Sequence, residues 1–182
     1  MSQRRIGTWR TVVLVMLCPI VVTPAAPQDR IVEINEEVVI DAGLADVWKA
    51  LTTAEGLAGW MGDSARIELK LGGIFEVRHQ VRTLTEEEKK LARGEKASAG
   101  GMRDTRILSF VPLRMLSYEG GMAGTWNVWT LDEVAPGKVR VHHTGLGTSE
   151  DWVRMAPMFE KAMVGVLDKL VAYMKATSGR SQ

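Results

Sequence analysis

The sequence predicts an α+β fold in which a curved antiparallel sheet of about six or seven strands wraps around one long C-terminal helix. Three observations lead to this prediction. The β-branched segments are short and closely spaced, two short helical segments follow the first of them, and the longest helical pattern comes last. A single antiparallel sheet must cover its apolar face, and only the last helix is long enough to do so. We therefore expect the sheet to curve around that helix.

The first strand and two short helices are predicted within residues 31–60. Ile31–Ile40 is rich in β-branched residues and alternates in part, which is typical of a strand. Leu44–Leu51 places its apolar residues at helical spacing, and Thr53–Trp60 forms a second short helical segment. We expect Trp48, on the apolar face of the first helix, to belong to the core.

Six further strands are predicted, and the close spacing of the later ones indicates antiparallel pairing. Gly72-Gly73 lies between two alternating runs, which favours a hairpin turn at that point. Turn residues at Pro112, Gly120-Gly121 and Pro136-Gly137 separate the later strands. The predicted strands are Arg66–Leu71, Ile74–Val81, Met102–Phe110, Met115–Glu119, Thr125–Glu133 and Lys138–Thr144.

The segment Leu84–Gly101 differs from its surroundings. Thr85 followed by Glu88 forms a capping box, so Thr85–Arg93 is predicted to be a short exposed helix. Gly94–Gly101 is rich in small residues and predicted to be flexible. Two interpretations remain open, a solvated helix face and a mobile lid with glycines at its ends.

The last helix is predicted over Ser149–Lys175. Thr148 with Asp151 can cap its start, and Pro157 predicts a kink or a short turn before the main helix. Apolar residues recur at three- and four-residue intervals and form one stripe. These residues are Phe159, Met163, Val166, Leu170 and Tyr173.

The N-terminal residues have the order of a secretory signal peptide. A basic stretch, Met1–Arg10, precedes the apolar run Thr11–Val22, and small residues follow at Thr23–Ala26. We expect cleavage after Ala25, and hence a periplasmic or secreted protein. The apolar run is shorter than the roughly 20 residues that a permanent membrane span needs, so no span is expected after cleavage.

The rest of the chain is predicted to form one domain over residues 31–176, with a short linker at 26–30 and a disordered tail at 177–182. The composition, 46% hydrophobic and 25% charged, is that of a globular protein. The formal net charge is +1, and three arginines lie in the predicted signal peptide, so no nucleic-acid partner is expected. The single cysteine, Cys18, would be removed with that peptide, which excludes disulfides and a catalytic thiolate from the mature domain.

The arrangement of elements and several short motifs resemble the START-like or SRPBCC helix-grip superfamily, which includes the birch-pollen-allergen fold. The closest resemblance is to the activator of heat-shock protein 90 ATPase homologue family, over roughly residues 32–176. The motifs that carry it are Val47–Thr52, Leu57, Trp60, Gly72–Phe75, Trp129–Leu131, His143–Leu146 and the Leu167/Leu170 pair. The resemblance implies a cavity between sheet and helix. It does not imply a chaperone partner, because predicted export would exclude a cytosolic one.

The candidate ligand-binding residues lie on the faces expected to border that cavity. If Val139 and Val141 face the helix, His143 faces it too, whereas His142 points away, so the two histidines cannot share one metal ion. Methionines on the last helix suit an adaptable apolar site. No catalytic residue, metal site or cofactor is predicted. The candidate residues are Trp60, Phe75, Val77, Trp129, His143, Trp152, Met155, Phe159 and Met163.

Three functions remain open from the sequence. The leading hypothesis is an exported carrier or sensor that holds a small hydrophobic molecule between sheet and helix. The second is an enzyme of the cyclase or aromatase type, in which His143 or Asp104 acts as acid or base, with Arg106 and Glu119 as possible neighbours across the sheet. The third is a protein-interaction module that uses an exposed sheet edge or the Leu84–Gly101 segment.

Overall fold

Seven strands and three helices make up the part of the chain that the computed structural model describes, residues 31–79 and 101–178, with side chains from residue 104 onward in the second range. In chain order they are β1 (Val32–Asp41), α1 (Leu44–Thr52), α2 (Ala54–Trp60), β2 (Ser64–Ile67), β3 (Ile74–Arg78), β4 (Gly101–Val111), β5 (Met115–Glu119), β6 (Thr125–Ala135), β7 (Lys138–Gly147) and α3 (Glu150–Ser178).

The seven strands form one antiparallel sheet in the order β1-β7-β6-β5-β4-β3-β2. Register shifts interrupt the ladders in β3, β4 and β6, and such bulges increase the local twist and bend of a strand. The sheet curls into a half-barrel around α3. The predicted fold class and its strand number are therefore confirmed.

Strand alternation decides which side chains face the helix. In β7, Val139, Val141 and His143 are buried, whereas His142 is half-buried on the other side of the sheet. The predicted parity of this strand is confirmed. We call the face that carries these three buried side chains the concave face.

The apolar core on the concave face consists of two separate clusters. The small cluster contains Ile34, Trp152 and Ala156, with Phe159 and Met122 packed against it. The main cluster joins α1, α2 and the C-terminal half of α3 to the rest of the sheet. Its larger members are Val47, Leu51, Leu57, Trp60, Phe75, Val77, Ile107, Leu116, Tyr118, Trp129, Val139, Val141, Leu167, Leu170 and Met174.

The two short helices follow the sequence prediction closely. Thr53 caps α2, since its hydroxyl accepts a hydrogen bond of 3.0 Å from the Gly56 N–H. Trp48 is only half-buried and packs against the main cluster from its edge. It therefore borders the predicted core rather than lying inside it.

The hairpin between β2 and β3 has a longer turn than the sequence predicted. The predicted strand Arg66–Leu71 ends at Ile67, and Leu69 and Leu71 are exposed. The turn is held by β4 instead, because the Gly72 N–H donates to the Ile107 carbonyl, and the Ile107 N–H donates to the Gly73 carbonyl. Gly72 has a φ of +69°, which explains the glycine at this position.

The start of α3 also differs from the prediction. Its cap is Ser149 and not Thr148. The Ser149 hydroxyl accepts a hydrogen bond of 3.1 Å from the backbone N–H of Trp152. The helix is continuous across Pro157, so no separate turn precedes it. Proline removes one backbone hydrogen bond, and the packing of Trp152 and Ala156 in the small cluster holds this turn in the helix.

Several predicted segments lie outside the described residues. They are the signal peptide and linker at 1–30, the helix Thr85–Arg93, most of the segment Leu84–Gly101, and the tail beyond Ser178, where α3 ends. No helix within the described ranges is long and apolar enough to cross a membrane.

Candidate functional site

The indole N–H groups of the three candidate tryptophans are all bonded inside the protein. Trp60 donates to the Ala50 carbonyl at 3.0 Å, Trp129 to the Tyr118 hydroxyl at 2.9 Å, and Trp152 to the Val32 carbonyl at 2.9 Å. A buried indole needs such a partner, and each bond fixes its ring in place. The three rings therefore offer apolar surface and no free donor.

Phe75 and Val77 belong to the packed centre of the main cluster. Phe75 stacks on the Tyr118 ring with 3.7 Å between ring centroids, and both residues are 1% exposed. Burial raises the pKa of the Tyr118 hydroxyl well above its usual value. The structure thus places these two candidate residues in the core beneath the sheet.

Trp60, Trp129 and His143 form a continuous row of rings across the concave face. Trp60 meets Trp129 edge-on with 5.7 Å between centroids, and Trp129 lies 4.6 Å from the His143 ring. The three rings come from α2, β6 and β7. This row joins the main cluster to the middle of β7.

Phe159 and Met163 lie in the middle of α3, between two segments that pack in different core clusters. Trp152 lies over Gly147 and Gly145 at one end of β7, where an added Cβ on Gly147 would lie 2.4 Å from the indole ring. Leu167 and Leu170 pack in the cluster that contains Val139 and Val141, nearer the other end of β7. Phe159 and Met163 lie in the helix segment between these two regions of contact.

The sheet-facing row of α3 is interrupted in this segment. Trp152 and Ala156 are buried in the small cluster, and Leu167, Leu170 and Met174 are buried in the main one. Between them, Phe159 and Met163 are only half-buried, although they lie on the same side of the helix. Met155 is half-buried too. The apolar contact between helix and sheet is thus weakest in the middle of the domain.

Polar side chains lie together on the concave face around His143. Glu36 of β1 lies directly opposite His143 in the β1–β7 register, so their Cβ atoms are about 5 Å apart. Asn127 of β6 is two residues before the buried Trp129 and so lies on the same face, and its Oδ1 lies 3.0 Å from His143 Nε2. We call Glu36, Asn127, His143, Phe159 and Met163 the helix–sheet junction.

The imidazole of His143 is held in one tautomer. An amide oxygen only accepts hydrogen bonds, so Nε2 carries the proton and Nδ1 carries a lone pair. Nδ1 is buried and has no hydrogen-bonding partner among the described residues. A buried acceptor without a partner costs on the order of 1–3 kcal/mol. The junction therefore contains one unused acceptor in a protein whose buried tryptophans are satisfied.

Burial, with a smaller contribution from His142, lowers the pKa of His143 to about 4. The ring is therefore uncharged at neutral pH and acts there as a hydrogen-bonding group. A base with such a low pKa is poorly matched to proton transfer near pH 7.

The acid–base group considered from the sequence does not assemble. Asp104 and Arg106 are exposed and alternate with the buried residues Thr105 and Ile107, so they lie on the sheet face opposite His143. The Glu119 carboxylate accepts a 3.0 Å hydrogen bond from the backbone N–H of Arg106, away from His143. Within the described ranges, no three His, Cys, Asp or Glu side chains are placed to hold a metal ion.

Two of the surface concavities among the described residues are large enough to consider as binding sites. One of about 260 Å³ lies beside the end of α2, with Trp60, His79 and Lys169 in its wall. The other, about 290 Å³, lies on the β2–β3 hairpin around Arg66 and Glu76. Neither is lined by His143, and both are open. The interior cavity that the sequence led us to expect is not one of them.

The structure divides the nine candidate residues into three groups. Phe75 and Val77 are core, whereas Trp60, Trp129 and His143 form the row of rings. Trp152 lies in the small cluster, where its ring packs 5.5 Å from that of Phe159, and Met155 and Met163 continue along the helix. Sequence reasoning missed Glu36 and Asn127. Alternation alone puts Asn127 on the face of Trp129, but only the strand register brings Glu36 beside His143.

Comparisons with known proteins agree with this architecture. Residues 41–175 match the protein family described as activator of Hsp90 ATPase homolog 1-like protein. The search of curated proteins gives no match.

Solved structures show the same fold. The chain is 19% identical to the Aha1 dimer from Colwellia psychrerythraea, with a TM-score of 0.58 over 79% of this chain and 96% of that one. A protein from Mesorhizobium loti is 18% identical, with a TM-score of 0.59 over 81% and 98% of the two chains. A protein from Nitrosomonas europaea is 15% identical, with a TM-score of 0.61 over 81% and 96%.

Proposed function

The chain belongs to the activator of Hsp90 ATPase homolog 1-like family, and from that premise we propose that it binds a small apolar molecule at the helix–sheet junction. The observation that carries this proposal is the interruption in the sheet-facing row of α3. Phe159 and Met163 are half-buried there, between segments whose equivalent residues are buried. A ligand inserted at this point would complete the apolar contact between helix and sheet.

The side chains at the junction suit such a ligand. Methionine is flexible and polarizable, so Met163 and Met155 can adopt rotamers that fit different apolar shapes. Phe159 and Trp129 supply aromatic surface on the helix and on the sheet. Because the junction is partly filled in the free protein, binding requires these side chains to move rather than a preformed cavity. Removal of apolar ligand surface from water supplies the driving force.

The chemistry of the junction favours binding over catalysis. His143 is the group there with a strongly shifted pKa, and its pKa near 4 makes it a weak base at neutral pH. Asp104, the other acid or base considered, lies on the outer face. We therefore propose a carrier or sensor of a small hydrophobic molecule and not a cyclase or aromatase.

Native mass spectrometry of the purified chain, followed by solvent extraction, tests this proposal. We expect a discrete co-purifying mass that disappears on extraction, or saturable binding of the neutral dye Nile red to the extracted protein. A Met163→Trp variant should fill the junction and weaken Nile red binding by about tenfold or more, because its indole occupies the space of the ligand.

Val164→Trp is the matched control. Val164 is the next residue on α3 and is 48% exposed, so an indole introduced at this position would point into solvent. This variant should bind like the native chain. Thermal unfolding would show that both variants are folded. Equal binding by the Met163→Trp and Val164→Trp variants would exclude the junction as the binding site.

A further inference from the structure

The unused acceptor at the junction, together with the carboxylate beside it, restricts the ligand to one chemical class. His143 Nδ1 is buried without a partner among the described residues, and its ring is positioned by Asn127. Glu36 is half-buried and directly opposite on β1. His143 Nδ1, with the ring proton on Nε2, and the Glu36 carboxylate both accept hydrogen bonds.

We propose that the ligand is an uncharged molecule with an apolar body and one hydroxyl or N–H group, and that this group donates a hydrogen bond to His143 Nδ1. This inference rests on the proposed function and specifies its substrate class. Phenols, alcohols and sterol-like molecules have this chemistry. Carboxylates, including fatty acids, lack such a donor, and a carboxylate anion would meet the lone pair of His143 Nδ1 and the Glu36 carboxylate.

The surroundings of His143 support an alcohol or phenol. The Trp129 ring lies 4.6 Å from the imidazole, and His143 is 1% exposed, so the acceptor lies beside aromatic surface and away from water. Such an environment strengthens a hydrogen bond, because water does not compete for the acceptor. The low pKa of His143 keeps the lone pair on Nδ1 available at neutral pH. His142 faces the opposite side of the sheet, so Glu36 is the charged group that faces His143 from the neighbouring strand.

Three naphthalene derivatives with one apolar body test the inference. The probes are 1-naphthol, 1-methoxynaphthalene and 1-naphthoate, each measured by displacement of Nile red from the purified chain at pH 7. We expect 1-naphthol to bind about tenfold more tightly than the methyl ether, because one buried hydrogen bond distinguishes them. We expect 1-naphthoate to bind most weakly.

Two variants assign the effect to specific residues. In His143→Leu the acceptor is gone, so the preference for 1-naphthol over the ether should fall to about onefold. In Glu36→Gln the carboxylate is gone but His143 remains. The affinity for 1-naphthoate should therefore rise several-fold relative to the affinity for the ether, while the preference for 1-naphthol over the ether persists. Circular dichroism reports whether each variant is folded. If His143→Leu does not fold, the native chain and Glu36→Gln still decide the question.

The outcomes distinguish this inference from the proposed function. Equal affinities for 1-naphthol and its ether in the native chain, or tightest binding of 1-naphthoate, would overturn the inference and leave apolar ligand binding in place. Failure of the native chain to bind Nile red and all three probes would overturn both.

Discussion

The imidazole of His143 shows how burial of one titratable group affects the whole domain. Its pKa is about 4 in the folded chain, whereas a histidine in an unfolded chain has a pKa near 6.5. Between these values the unfolded chain binds the proton and the folded chain does not. The free energy of unfolding therefore decreases as the pH falls from about 6.5 toward 4, and the contribution of His143 is constant above that window.

A His143→Gln variant should remove this dependence. By linkage, His143 lowers the free energy of unfolding of the native chain by about 2 kcal/mol between pH 7 and pH 5, and the variant should lack this loss. Urea unfolding of both proteins at the two pH values measures it. The carboxylates of the domain titrate in both proteins, so the difference between them isolates His143. If the free energy of unfolding fell by the same amount from pH 7 to pH 5 in both proteins, burial would not shift the pKa of His143.

Individual site residues were predictable where strand alternation decides their position. The alternation in β7 correctly put His143 on the concave face with Val139 and Val141. Glu36 was not predictable, because its neighbour depends on the pairing register of two strands that are about 100 residues apart in the sequence. The three candidate tryptophans, which were predicted to border a cavity, are buried, and only coordinates show that each indole N–H has an internal partner.

Two helical glycines allow a test at the scale of single elements. In α2, a Cβ on Gly56 would lie 2.7 Å from backbone atoms of Ala50 and Lys49, so an alanine there would push α2 away from α1. In α3, a Cβ on Gly165 would meet nothing within 4 Å. The same substitution should therefore have opposite effects in the two helices.

We expect Gly56→Ala to lower the free energy of unfolding by about 1–3 kcal/mol through the clash. Gly165→Ala should raise it by about 0.5–1 kcal/mol, because alanine loses less conformational freedom in a helix. Chemical denaturation of the two variants beside the native chain gives both values. A stabilised Gly56→Ala variant would mean that α1 and α2 are not packed as closely as described.

The type and order of the described elements were predictable from the sequence, but some of their ends were not. Strand β2 stops at Ile67 because the following turn bonds to Ile107 of β4, a residue far along the chain. Helix α3 begins without a break at Pro157 because Trp152 and Ala156 pack on the sheet. In both cases a tertiary contact overrides the local signal, and local pattern carries no information about such contacts.

For the whole molecule, the curved sheet and its single long helix follow from one requirement. Each of the seven strands places apolar residues on the concave face, and α3 with the two short helices covers that face. Full burial of one large apolar side chain contributes about 1.5–3 kcal/mol, so the main cluster dominates the stability of the domain. The fold class was predictable because this requirement can be read from periodicity alone.

We propose that the chain is exported and that its mature form begins at Ala26. Expression in a bacterial host followed by intact-mass measurement should give the mass of residues 26–182 in the exported fraction. An Ala25→Asp variant should accumulate uncleaved, because signal-peptide cleavage requires a small residue at that position. Recovery of the uncleaved native chain from the cytosol alone would contradict export.

The division of the core into two clusters has a consequence for local unfolding. The small cluster contains only three buried apolar residues, and the indole of Trp152 is bonded to the β1 backbone by one hydrogen bond. The first turns of α3 also lack the hydrogen bond that Pro157 cannot donate. This half of the helix can therefore detach at a lower free energy than global unfolding, while Leu167, Leu170 and Met174 keep the rest in place. A transient opening of this kind would admit a ligand to His143 without a permanent pore and without melting the domain.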